Sequence, residues 1–176
     1  MELKVLPIAM ILSLTFTSLI AFGATDVDPT CLDQGAKELA INNDQVANWK
    51  ATTANQFLSR GHVSGTISQI FPDHSGHNHF EIQMDVKGND TLEIIYNQSF
   101  GALPSLKKGM KVEACGDYIT SNAQSGAFPP SPDGAILHWI HGTSGGHGGG
   151  AFHKPALSGK QHPGGYLEID DKVYGQ

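Results

Sequence analysis

The sequence predicts a mainly β protein, built as a small five-stranded OB-like barrel with an N-terminal helical segment packed outside it. Five short segments alternate apolar and polar residues with period two, and turn residues separate them. About 150 residues remain after an apolar leader is set aside, which is the size of one domain. A β-sandwich is the alternative fold.

The first 23 residues predict a signal peptide. Lys4 ends a short polar start, the run from Val5 to Phe22 carries no charge, and Ala21 and Gly23 are small residues suited to cleavage. The protein is therefore expected to be secreted or periplasmic, with no stable membrane span after cleavage. The alternative is an uncleaved membrane anchor, because the apolar run is close to the shortest length that spans a bilayer.

Residues 24–56 predict a helical N-terminal segment. Thr30 is a plausible N-cap, Leu32, Leu39 and Val46 are apolar positions, and the stretch contains few strand formers. The run "NND" indicates a break in the helix.

Residues 57–176 form the predicted barrel domain. Its five strands are "HVSGTISQIF", "HFEIQMDV", "TLEIIYN", "GMKVEACGDY" and "GAILHWIH". Gly61 and Gly65 suit a first strand that bends sharply to serve both sides of a barrel. The Gly-, Ser- and His-rich insertion at 142–161 cannot bury enough apolar area to fold alone. The end, "GGYLEIDDKVYG", predicts a hairpin with "DD" in its turn.

Cys31 and Cys115 predict a disulfide, because an exported chain with two cysteines resides in an oxidising compartment. Two free thiols are the alternative. Cys115 shares a strand face with Lys111, Glu113 and Asp117, so it is expected to point outward, where the N-terminal segment can reach it.

The charge balance disfavours nucleic-acid binding. The chain has 17 acidic against 11 basic residues, a net charge of −6, and Arg60 is the single arginine. Proteins that bind the phosphates of nucleic acids normally present a basic face with several arginines. We expect a monomer that binds a metal ion, a glycan or another surface ligand.

Several motifs resemble a family of small exported bacterial proteins, domain of unknown function 3465. They are "IFPDHSGHNHFEI", "LEIIYN", "LPSLKKGMKVEACGDY", "GAILHWIH" and "QHPGGYLEIDDKVYG", within residues 61–175. His79 and Gln161 stand where the family has basic residues, and the insertion with His147 and His153 has no counterpart there. The resemblance implies one exported domain and no particular activity. It marks Pro72, Asp73, His77, Phe80, Asn97, Pro104, Gly109, Gly116, Tyr118, His138, Trp139, His141, His162, Gly164 and Gly165.

The histidines predict a transition-metal site. His77 and His79 lie two apart and therefore share a face of an extended strand. His138 and His141 lie three apart, so they reach one ion only if their strand ends or bulges between them. His162 lies in a Pro-Gly loop able to fold over the site. Imidazole nitrogen favours zinc or copper over magnesium or calcium.

The first functional hypothesis is therefore a secreted or periplasmic binding protein with a histidine-based zinc or copper site. No nucleophile motif or phosphate-binding loop supports an enzyme. One alternative is a metal-assisted hydrolase with a carboxylate base. The other is a metal-free module that stacks a glycan or single-stranded nucleic acid on Trp139, Tyr118 and Tyr96.

Overall fold

The computed structural model describes residues 29–84, 90–142 and 163–175. The predicted signal peptide, residues 143–161 of the predicted insertion, and His162 lie outside the described residues. In the described ranges, no helix is both long and apolar enough to cross a membrane.

Over these described ranges the protein is mainly β, with a closed five-stranded barrel, one short α-helix and two further strands. In chain order the elements are α1 (Asn43–Thr52), β1 (Leu58–Ile70), β2 (His77–Gln83), β3 (Thr91–Asn97), β4 (Lys111–Thr120), β5 (Ala135–His138), β6 (Tyr166–Ile169) and β7 (Lys172–Tyr174). The barrel runs β1-β2-β3-β5-β4 and closes through β1–β4, with β3–β5 as its parallel pair. The OB-like prediction is confirmed, and the β-sandwich alternative is wrong because the sheet closes on itself.

Strand β1 bends and serves both sides of the barrel, as its glycines predict. It pairs with β4 from Leu58 to Thr66, and with β2 from Thr66 onward. At the bend, a Cβ on Gly65 would lie 2.2 Å from the Gln83 carbonyl oxygen. Only glycine lets the backbones approach this closely.

The barrel interior is filled by every second residue of the strands, which follows from the period of a β-strand. Helix α1 packs against β1 and β4 and adds the fully buried Val46. Its Trp49 ring lies 5.4 Å from the ring of Tyr118 in the core. The helix therefore closes the end of the barrel at which β1 begins. The largest fully buried side chains are those of Tyr96, Tyr118, Phe80, Ile67, Ile82, Leu92, Ile94, Leu137, Ile140, Leu167, Ile169 and Val46.

The prediction of a helix starting near Thr30 is wrong, because helix α1 begins at Asn43. Residues 29–42 instead form an irregular segment, which we call the strap. The Asp33 carboxylate accepts hydrogen bonds from the backbone N–H groups of Gly35 and Lys37, and Ala36 has a φ of 60°. Such local side-chain bonds compete with a helix.

The strap lies on the outer face of β1 and β4, to which the predicted disulfide Cys31–Cys115 joins it. Arg60 Nε donates to the Leu32 carbonyl oxygen, and its Nη1 donates to the buried Asp117 carboxylate at 2.9 Å. The strap, rather than a helix, therefore carries Cys31 to the outward-facing thiol.

The C-terminal hairpin is β6 and β7, and β6 extends the sheet beside β4. Its turn is the predicted Asp-Asp pair, with φ of 47° at Asp170 and 63° at Asp171. Positive φ at both central residues gives the twist that a two-residue hairpin needs.

Candidate functional site

The loop between β1 and β2 folds back as a tight turn that brings two histidines together. Ser75 and Gly76 both have positive φ, at 52° and 76°. His74 and His77 therefore pair across the turn, and each backbone N–H donates to the carbonyl oxygen of the other. Side chains directly opposite in such a pair lie on the same face.

Four histidine rings meet on the outer face of the barrel, and we call them the imidazole cluster: His74, His77, His79 and His138. The ring centres of His77 and His138 are 5.5 Å apart, although one lies on β2 and the other ends β5. The His79 ring centre lies 6.4 Å from those of both His74 and His77. Strand pairing explains the meeting, since β3 lies between β2 and β5 and pairs with both.

The Nδ1 atoms of three cluster rings have oxygen partners. Nδ1 of His77 lies 2.9 Å from the Ser75 carbonyl oxygen, and Nδ1 of His79 lies 2.8 Å from Oε1 of Glu93. Nδ1 of His74 lies 3.0 Å from the Ser75 hydroxyl. A carbonyl oxygen only accepts, so the His77 proton lies on Nδ1, and the lone pair of the neutral ring lies on Nε2.

A carboxylate braces the turn that carries this cluster. The two oxygens of Asp73 accept hydrogen bonds from the side-chain amides of Asn78 and Gln98, at 2.8–3.1 Å. The turn is thus tied both to β2 and to the segment after β3. This bracing limits how far the turn can move relative to β2.

Trp139 separates the two predicted ligands of strand β5. The strand ends at His138, and Trp139 has a φ of 56°, which is rare for a bulky residue. Its ring contacts those of both His138 and His141. The ring of His141 stacks on Phe100, with centres 3.8 Å apart, while its Nδ1 bonds the Gly142 carbonyl oxygen.

Within the described parts of the chain, no three His, Cys, Asp or Glu side chains are placed to hold a metal ion as they stand. The structure brings together His77, His79 and His138 of the predicted set, places His141 beyond Trp139, and does not describe His162. The metal site therefore stays a prediction.

Tyr96 and Tyr118 cannot be ligand-stacking residues, because both side chains are fully buried in the barrel core. Burial raises the pKa of both phenols. Tyr118 packs its ring against Trp49 and Phe57, and its hydroxyl lies 3.1 Å from that of Thr120. That part of the glycan prediction is wrong, because the two rings face inward along their strands. Trp139, at the surface, is half-buried.

Two further carboxyl groups, those of Glu81 and Asp133, lie near each other. Glu81 accepts a hydrogen bond from the Ser68 hydroxyl at 2.6 Å, and Asp133 accepts one from Thr91. Burial and the neighbouring Glu81 raise the pKa of Asp133 to about 6, against the opposing effects of Thr91 and Lys50. This carboxyl group therefore titrates in the range in which free imidazole also does.

A second histidine site lies under the strap and is structural. His62 Nδ1 lies 2.6 Å from the Leu39 carbonyl oxygen, and its Nε2 lies 3.0 Å from Glu113. Tyr166 donates to the same carboxylate at 2.6 Å. Burial alone would raise the pKa of Glu113, but the bonds from Tyr166 and His62 outweigh it and lower the pKa.

Sequence reasoning gave His74 only a supporting contact near His77 and left it out of the predicted ligands, and it missed Glu93. The Ser-Gly pair after His74 is a two-residue turn signal, and it would have placed His74 opposite His77. Glu93 carries no such local signal, since its contact with His79 depends on the register between β2 and β3.

No protein-family model matches this chain, and no curated protein or solved structure matches it. The resemblance to domain of unknown function 3465 therefore stays a prediction.

Proposed function

We propose that the protein is an exported binding protein that holds zinc or copper through the imidazole cluster. The observation that carries this proposal is the pair His77 and His138, whose ring centres lie 5.5 Å apart on separate strands. The two residues lie on strands that are far apart in the sequence, β2 and β5. The fold therefore brings them together.

The spacing of this pair suits two imidazoles on one ion. With an ion–nitrogen distance of about 2.1 Å and a further ~1.2 Å to the ring centre, two ligands at a tetrahedral angle have ring centres roughly 5.4 Å apart. The observed 5.5 Å agrees with this value. The separation of the two ring centres is thus compatible with a single ion bound between His77 and His138.

His79 and His74 would complete the site. The His79 ring centre lies 6.4 Å from that of His77, which is somewhat more than the spacing of two tetrahedral ligands, and the His74 ring centre lies 6.4 Å from that of His79. Both side chains would therefore have to shift toward the ion, His79 with its bond to Glu93 kept. His74 is exposed at the turn and has room to do so. His162 stays a predicted additional ligand. Three or four imidazoles favour zinc or copper.

The nearby carboxylates favour binding over catalysis. A metal-assisted hydrolase needs a carboxylate that can take a proton from the bound water. Glu93 already bonds the His79 ring, and Glu81 already accepts from Ser68. Both acids therefore support neighbouring side chains.

The test is isothermal titration of the tag-free exported chain with zinc and with copper(II). We expect one site in the wild type, and at least tenfold weaker binding in the double variant H77A/H138A, because it loses the best-placed pair of nitrogens. The matched control is H141A, which removes an imidazole that lies beyond Trp139. The zinc affinity of H141A should stay within about twofold of the wild type, because the variant keeps every histidine of the imidazole cluster.

Wild-type protein that binds neither metal more tightly than H77A/H138A would overturn the proposal. An equal loss in H141A would instead move the site toward Phe100. Thermal unfolding of each variant separates lost ligands from lost folding, because none of these three histidines is fully buried.

A further inference from the structure

Glu93 is a buried acid on the outer face of a strand, which is an unusual place for a carboxylate. Glu93 is only 6% exposed, and its Oε1 lies 2.8 Å from Nδ1 of His79 on the neighbouring strand. A buried charge is costly unless it is hydrogen-bonded. The contact with His79 is therefore a specific pairing rather than a chance encounter on an open surface.

The pairing decides which nitrogen of His79 is available. A carboxylate accepts a hydrogen bond from Nδ1–H, so the neutral His79 ring keeps its lone pair on Nε2. The bond also restricts the ring to orientations that keep Nδ1 at Glu93, which lies on β3, directly beside β2. Nε2 is therefore the ring nitrogen that points away from Glu93.

Glu81 provides an internal comparison, because it lies directly opposite Glu93 in the β2–β3 register. Both acids project from the outer face. Glu81, however, bonds the Ser68 hydroxyl and faces Asp133. The two residues are therefore of the same type and lie side by side, but only Glu93 hydrogen-bonds to an imidazole ring.

We propose that Glu93 is the positioning residue of the metal site, which holds His79 in the Nδ1–H tautomer with Nε2 presented to the ion. This inference rests on the proposed function. In known metal sites, a carboxylate behind a ligating histidine increases the basicity of the ligand, and its loss costs about 10- to 100-fold in metal affinity. Glu93 itself does not touch the ion.

The experiment has one readout without metal and one with it. Long-range proton–nitrogen NMR of the metal-free protein at pH 8 reports which His79 nitrogen carries the proton. We expect Nδ1–H in the wild type, a mixture of tautomers in E93L, and retained Nδ1–H in E93Q, whose amide oxygen can still accept. E93Q also keeps the proposal testable should E93L fail to fold.

Zinc titration of the same variants gives the second readout. We expect about 10- to 100-fold weaker binding in E93L, a smaller loss in E93Q, and a change of no more than about threefold in the matched control E81Q. An equal loss in E81Q would show a general effect of charge and would overturn the positioning role.

The outcomes also separate this inference from the proposed function. A wild type that binds zinc, with E93L binding equally well or showing an unchanged tautomer, would overturn the role of Glu93 alone. A wild type that binds neither zinc nor copper(II) would overturn the metal site and the inference with it.

Discussion

At the scale of single residues, Asp133 shows how burial and a like-charged neighbour act together. The residue is 8% exposed and faces Glu81, and its pKa is raised to about 6 from an ordinary value of 3.8. The folded state therefore binds this proton more tightly than the unfolded chain does. The resulting stability is fully present below pH 3.8 and is lost as the pH rises through about 6.

We predict that D133N unfolds at a higher urea concentration than the wild type at pH 7. Asparagine keeps an oxygen that can accept from Thr91 but carries no charge beside Glu81. The expected gain is roughly 1–3 kcal/mol at pH 7, shrinking toward zero near pH 4.

The matched control for this substitution is D171N, at an exposed turn position with a φ of 63° that asparagine also tolerates. Its unfolding free energy should stay within about 0.5 kcal/mol of the wild type at both pH values. A D133N variant no more stable than wild type at pH 7 would contradict the buried-carboxyl explanation.

At the scale of elements, the strap depends on its covalent link. The Cys31–Cys115 disulfide spans 84 residues of sequence, so it removes much of the conformational freedom of the unfolded chain. The side chains of Arg60 and His62 also hydrogen-bond to strap carbonyl oxygens, and these bonds do not involve the disulfide. The strap is therefore expected to stay docked, on a less stable barrel.

We predict that C31S/C115S loses about 4 kcal/mol of unfolding free energy, because the unfolded state regains its entropy. Urea unfolding followed by circular dichroism measures this loss, and reductant added to the wild type should reproduce it. Reductant should have no effect on the double variant. An unchanged urea midpoint in C31S/C115S would contradict the prediction.

For the molecule as a whole, the number of histidines determines how the net charge changes with pH. The net charge is −6 with all nine histidines neutral, so protonating all nine would bring it to +3. Ordinary imidazoles titrate near pH 6.5. The sign of the net charge should therefore reverse between neutral and mildly acidic pH, and with it the sign of the surfaces to which the protein is attracted.

We predict that the metal-free protein passes through a cation-exchange column at pH 7 and is retained at pH 5. Saturating zinc should make the change in retention with pH smaller, because the ion adds two positive charges at pH 7 and the bound imidazoles take up no protons on acidification. Retention that does not vary between pH 7 and 5 would contradict the charge argument. Retention that is the same with and without zinc would count against the proposed metal site.

Much of the fold could be predicted because its signals are local. Period two identified the five barrel strands, and Gly65 marked the bend of β1, whose closeness to Gln83 requires glycine. The outward face of Cys115 followed from alternation along β4. The helix was misplaced because the Asp33 side chain forms turn-like hydrogen bonds in a stretch of otherwise helix-compatible residues.

The strands, the disulfide partners, the C-terminal Asp-Asp turn, and the shared face of His77 and His79 all follow from the order of residues along the chain. The folded barrel is needed to bring His138 to His77, to bond Glu93 to His79, and to place Trp139 between His138 and His141. Side-chain alternation is set within a strand. Contacts between strands, in contrast, depend on the register and the order in which the barrel closes.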